Sequence, residues 1–172
     1  MMAILHILLT ILYASLDNVF YSNFTVIGNQ EGHFLYFFVW ILMIATYFFI
    51  QSTHIFKKYQ FSFKYQKPLA FYVFLSCIIT PIIPYTERNP FLDDLHVLCI
   101  MSSTFIFIGI WFYFIYHMKI RYKRLISKIE LPFILFIHSL AIIFLLYGCI
   151  NSLIEVLIII YMILLIEFFK KN

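Results

Sequence analysis

Charge is what this sequence has least of. Only 12% of its 172 residues are Asp, Glu, Lys or Arg, against about 25% in an ordinary soluble domain. A chain that is 64% hydrophobic cannot hide so much apolar surface in a water-facing fold, so lipid must be part of its solvent. Four glycines and five prolines leave little material for flexible linkers, and no low-complexity segment appears. The cysteines are also few. Cys77, Cys99 and Cys149 lie in apolar runs without a CxxC partner, which indicates neither a disulfide framework nor a zinc site. A net charge of +4 is no nucleic-acid footprint. The length suits one membrane domain, residues 1–172, and nothing in it calls for a cofactor.

What is present is a series of long apolar runs. A helix crossing about 30 Å of hydrocarbon needs roughly 20 apolar residues. Six candidates meet or approach that length, at about 2–16, 34–56, 68–84, 95–118, 131–150 and 152–169. The expected fold is therefore all-α, a bundle of six transmembrane helices. The first run is short and carries His6, Thr10 and Ser15, but no basic residue precedes it as in a secretory signal. Pro68 and Pro132 open their helices, where a missing N–H costs little.

Basic residues set the orientation. Lys57, Lys58, Lys64 and Lys67 form one cluster, Lys119, Arg121, Lys123, Arg124 and Lys128 a second, and Lys170 with Lys171 a third. Six alternating helices put all of these on one face together with both termini, which makes that face cytoplasmic. Asp17, Glu31, Glu87, Asp93 and Asp94 fall on the opposite face, where Arg88 is the one basic residue. Abundant Ile, Phe, Lys and Asn suggest an AT-rich, bacterial source and a multi-pass protein of the cell membrane.

The most polar stretch is PYTERNPFLDDLH, between the third and fourth runs. Asn89-Pro90 reads as a turn or helix start, and Asp93 or Asp94 as the cap of the fourth helix, where acceptors and negative charge are favoured. The competing reading is a divalent-cation site in which Glu87, Asp93, Asp94 and His96 meet Glu31 and His33 from the first loop. Asp93, His96, Ile100 and Ser103 share one helical face, an arrangement that resembles the parts of lipid-cleaving seven-helix zinc hydrolases, whose HxxxH pair and seventh helix are missing here. His33 and His54, like His96 and His117, stand 21 residues apart. That spacing, about 31 Å along a helix, puts them at interfaces instead of around haem.

Two polar residues fall inside apolar runs. His138, in the fifth, is expected to face the bundle interior and is the candidate for a transport pathway. Glu155, in the sixth, follows Ser152 in an S-x-x-E pattern and reads as half of a capping box. The segment FKKYQFSFKYQKP alternates aromatic and basic residues, which suits anionic lipid headgroups.

Six helices with PIIPYTERNPFLDDLHVL running into the fourth, and YGCINSLIEVLIIIYMILLIEFF closing the chain, resemble the DRAM/Frag-like membrane proteins. The resemblance implies a six-helix fold and a lipid-linked or signalling role. It marks His96 and Glu155 as the positions to watch and implies no reaction. The leading expectation is thus a non-enzymatic protein that binds or senses a lipid or a membrane partner. A small transporter or transporter subunit using His138 is the alternative, and a lipid hydrolase the third.

Overall fold

A computed structural model describes residues 2–83, 85 and 89–172. Every regular element among them is helical. In order these are α1 (Met2–Ala14), α2 (Phe24–Asn29), α3 (Phe34–Lys58), α4 (Gln66–Ile79) with a 3-10 turn at Thr80–Ile82, α5 (Pro90–Arg121), α6 (Lys123–Ile126), α7 (Glu130–Tyr147) and α8 (Ser152–Lys171). Four stretches are long and apolar enough to cross a membrane: α3, α5, α6 with α7, and α8. The two others are shorter. The 13 residues of α1 rise about 20 Å. The 14 residues of α4 and the 3-10 turn together rise about 27 Å.

Local chemistry sets the helix ends. Asn89 caps α5, its side chain accepting from the Leu92 N–H, with Pro90 at the first helical position. Asn151 caps α8 in the same way, accepting from the Ile154 N–H at 3.2 Å. Gly148 ends α7 with a φ of 68°, a left-handed conformation that glycine adopts without strain.

These caps correct two expectations. Asp93 lies inside the first turn of α5 instead of at its cap, and Asp94 beside it is exposed. The reason is that Asn89 starts the helix five residues before the apolar run at 95 begins. Glu155 is not half of a capping box either. With Asn151 as the cap, the third helical position is Ile154, so Glu155 stands one residue too far along to fold back.

The helices pack as α4 against α5 and α3, α1 against α8 and α3, and α7 against α8. Two aromatic cores result. One joins Phe56, Tyr59, Trp111, Phe114, Met118, Ile163, Ile166 and Phe169 at the end where the basic residues gather. There the Phe114 and Phe169 rings meet edge to face at 4.9 Å. Lys58 donates to the Phe169 and Lys170 carbonyls, both at 3.1 Å, and so closes the end of α8. The other core joins Tyr13, Phe24, Ile27, Phe37, Trp40 and Ile44 at the opposite, loop end. Buried polar atoms are hydrogen-bonded throughout the described residues, as a lipid environment demands. The Trp111 indole donates to the Ser52 hydroxyl at 3.2 Å, and the Trp40 indole to that of Thr10 at 3.2 Å.

α7 differs from its neighbours. Of its side chains only Phe133 is buried, and apolar residues such as Leu135, Leu145 and Leu146 are exposed. A helix apolar on all sides belongs against lipid.

Candidate functional site

Between the two cores the bundle is hollow. A cavity of about 1050 Å³ opens among α3, α4, α5 and α8. Along α3 its walls run from Phe37 to Lys57, twenty residues or about 30 Å of helix rise. That matches the thickness of a bilayer's hydrocarbon. The middle is mostly apolar, with Ile44, Phe48, Phe74, Met101, Phe107 and Ile158 among its walls and Ser103 and Thr104 as polar exceptions on α5. Both ends are polar: Thr25, His96 and Glu155 at the loop end, and Lys57, Gln66 and Lys67 at the basic end.

The loop end is built around α2, a short helix folded back over the bundle. Asn23 caps it, its side chain accepting from the Val26 N–H at 2.9 Å. Its first residue, Phe24, is clamped from both sides. The Phe24 N–H donates to the Glu155 carboxylate at 2.7 Å, and the Phe24 carbonyl accepts from the Tyr13 hydroxyl at 2.9 Å. The next residue, Thr25, pairs its hydroxyl with His96 Nε2 at 3.0 Å. His96 Nδ1 lies 2.9 Å from the Ile83 carbonyl. A carbonyl can only accept, so Nδ1 carries the proton, and Nε2 accepts from Thr25 when the ring is neutral. His96 is only 2% exposed, so one imidazole ties α5 both to α2 and to the chain leaving the 3-10 turn.

The first loop also holds α8. The Ser152 N–H donates to the Ser22 carbonyl at 2.7 Å and the Leu153 N–H to the Val19 carbonyl at 3.0 Å. The Asn151 side-chain amide donates to the Phe20 carbonyl at 3.0 Å. Donors left unpaired at a helix start are thereby satisfied. Asp17 organises the same loop. The Ser22 hydroxyl, the Asn18 N–H and the Gln30 amide all donate to its carboxylate and hold its pKa below the ordinary value of 3.8.

Of the residues singled out in the sequence, His96 and Glu155 meet at the cavity's loop end. Ile100 and Ser103 line the cavity farther along α5, and the other acidic and histidine candidates among the described residues lie outside its walls. Glu31 is exposed in the turn before α3. His33 points Nδ1 at the Ile27 carbonyl, 3.2 Å away. Asp93 and Asp94 stay at the start of α5, outside the cavity walls. Glu87, Arg88 and Pro84 lie outside the described residues. Among the described residues no three His, Cys, Asp or Glu side chains are placed to hold a metal ion. Both His96 nitrogens are engaged, with Thr25 and with the Ile83 carbonyl, and the Ser103 hydroxyl donates to the Ile100 carbonyl at 2.9 Å.

His138 is a correction. Its ring is exposed on α7 and turns Nδ1 back to the Ile134 carbonyl at 2.8 Å, away from the cavity. Depth along a helix does not select its face, and α7 packs mainly against α8.

Sequence reasoning missed Tyr13 and the α2 clamp. The one available signal was Asn23, whose N-x-x run before an apolar stretch is a helix-start pattern. No family model, curated protein or solved structure matches the chain.

Proposed function

We propose that this chain is an integral membrane protein that holds a lipid molecule in the cavity among α3, α4, α5 and α8. The observation that carries the reading is the cavity itself, about 1050 Å³ with apolar walls and polar ends. Small-molecule sites run to about 1,000 Å³, mostly apolar with a few placed polar groups. A bilayer of about 30 Å holds two leaflets of chains, so one leaflet's acyl chain fills about half of the cavity's length. The DRAM/Frag-like resemblance adds the expectation of a lipid-linked role. In this reading the chain crosses the membrane six times, α1 and α4 completing the set as short spans, with both termini and the basic end cytoplasmic. No chemical step is assigned to it.

The test is occupancy. Protein purified in mild detergent should carry a stoichiometric lipid, seen by native mass spectrometry. Ala45 and Ala70 line the cavity from α3 and α4. Ala45→Phe and Ala70→Phe add bulk where there is empty space, so each should stay monodisperse while bound lipid falls severalfold. Retention of the same lipid by both well-folded variants would falsify the cavity as its site.

A further inference from the structure

Four lysines cluster where α3 ends and α4 begins, and the structure divides them into two pairs. Lys58 is occupied, its ammonium donating to the carbonyls that end α8. Lys64 lies over the Tyr65 ring, 5.2 Å from its centroid. Lys57 and Lys67 do neither. Both line the cavity, and among the described residues neither has a hydrogen bond or an ion pair. Lys57 sits in the last turn of α3, where a cation suits the helix dipole. Lys67 sits in the first turn of α4, where it does not. That turn has no acidic residue, and Tyr65 before it provides no side-chain cap. Ser62 and Gln66 stand on the same rim and supply neutral donors. Two exposed cations and two neutral donors thus stand at the basic end of an apolar cavity, beside a helix start without a side-chain cap. An anion there offsets both ammonium groups and the positive end of α4 at once.

We propose that Lys57 and Lys67, with Gln66 and Ser62, bind the phosphate of an anionic phospholipid whose acyl chain enters the cavity above them. The proposal rests on the reading of the cavity as a lipid site and adds the class and polarity of the lipid: headgroup at the basic end, chain toward Phe48 and Phe107. A zwitterionic lipid carries a phosphate too, but its own ammonium competes with the lysines, so net negative charge is selected. The remote polar end, with His96 and Glu155, takes no part in holding the headgroup.

Delipidated full-length protein is reconstituted into vesicles of phosphatidylcholine alone or phosphatidylcholine mixed with phosphatidylglycerol. It is then re-extracted gently, and retained lipid is counted by native mass spectrometry. Wild type should retain phosphatidylglycerol over phosphatidylcholine well beyond their ratio in the vesicle. The double variant K57Q/K67Q should lose that preference by about tenfold or more, the scale of two basic groups near a headgroup, while still retaining phosphatidylcholine. K57R/K67R should keep the preference, and so should K64Q/K123Q, which removes the same charge away from the rim. Inorganic phosphate added to wild type should displace neither lipid. Wild type without preference overturns the headgroup assignment whether or not the variants fold, as does K57Q/K67Q behaving like wild type. Displacement of phosphatidylglycerol by inorganic phosphate overturns it in favour of a free-anion site. Wild type that retains no lipid of either kind instead overturns the cavity reading, so the two failures are distinguishable.

Discussion

Glu155 shows how one side chain changes its job with its surroundings. In isolation S-x-x-E is a local cap, complete within one turn of helix. In the folded chain the turn is capped by Asn151 and by carbonyls of the first loop, and the carboxylate is released to hold Phe24, 131 positions away in sequence. Its removal therefore acts on α2 before it acts on α8. Glu155→Leu leaves the Phe24 N–H unpaired, a loss of about 1–3 kcal/mol for a buried donor. A lowered melting temperature in detergent and faster proteolysis between residues 17 and 33 should report it. Glu155→Gln keeps an acceptor at the same reach and should stay close to wild type. A leucine variant with unchanged melting and unchanged cleavage would show that the clamp does not hold α2.

At the scale of an element, α5 and α2 make contrasting cases. α5 is long enough to stand about 48 Å from end to end, and its start is a matter of local chemistry. Asn89→Ala should cost about 1 kcal/mol, the usual value of an N-cap. Asp93→Asn keeps the shape of a half-buried side chain and removes a negative charge near the dipole, and should cost less than the cap, on the dipole scale of about 0.3–1 kcal/mol. Chemical denaturation of the three proteins side by side checks the order, and an Asp93→Asn loss as large as that of Asn89→Ala would return the cap to the aspartate. α2, by contrast, is only six residues long and is positioned by packing. Its Gly28 faces the Phe37 ring so closely that a Cβ there would overlap the ring carbons. Gly28→Ala must push α2 away from α3, at about 1–3 kcal/mol for overpacking. The same variant should weaken the neighbouring His96–Thr25 bond, visible as a shift in the His96 ring resonances.

Over the whole molecule the prediction concerns sides. Lys58, Gln60, Arg121 and the end of α8 collect at one end, as the Arg121–Gln60 contact at 3.4 Å and the Lys58 bonds to α8 show. Phe20, Ser22, Ile83, His96 and Asn151 collect at the other. If that basic end is cytoplasmic, single cysteines at Asn29 and Asn89 in a background lacking Cys77, Cys99 and Cys149 should react with an impermeant thiol reagent on intact cells. All three chosen positions are exposed, so access reflects side and not burial. A cysteine at Gln60 should react only after the cells are opened, and its labelling in intact cells would overturn the arrangement.

The apolar runs determined without any structure that this is a helical membrane-type chain, because roughly 20 consecutive apolar residues have few other ways to satisfy their backbone in lipid. The same runs located α3, α5, α7 and α8 to within a few residues. Their starts were less legible. Asn89 and Asn151 were available as caps, but the eye goes to the charged Asp93 and to Ser152 with Glu155, and only the folded backbone decides which polar side chain meets the free N–H groups. His96 and Glu155 were visible as polar residues in apolar surroundings, while their meeting across α2 required two loops to fold back over the bundle. His138 looked equivalent in sequence and is not, since a residue's depth in a helix follows from its number but the direction it faces follows from which neighbours that helix finds. The cavity was the least legible feature of all. Hollow space arises where helices fail to touch, and no residue type encodes that; it was left to tertiary packing, which filled the two ends of the bundle with aromatic rings and kept α5 and α8 apart between them.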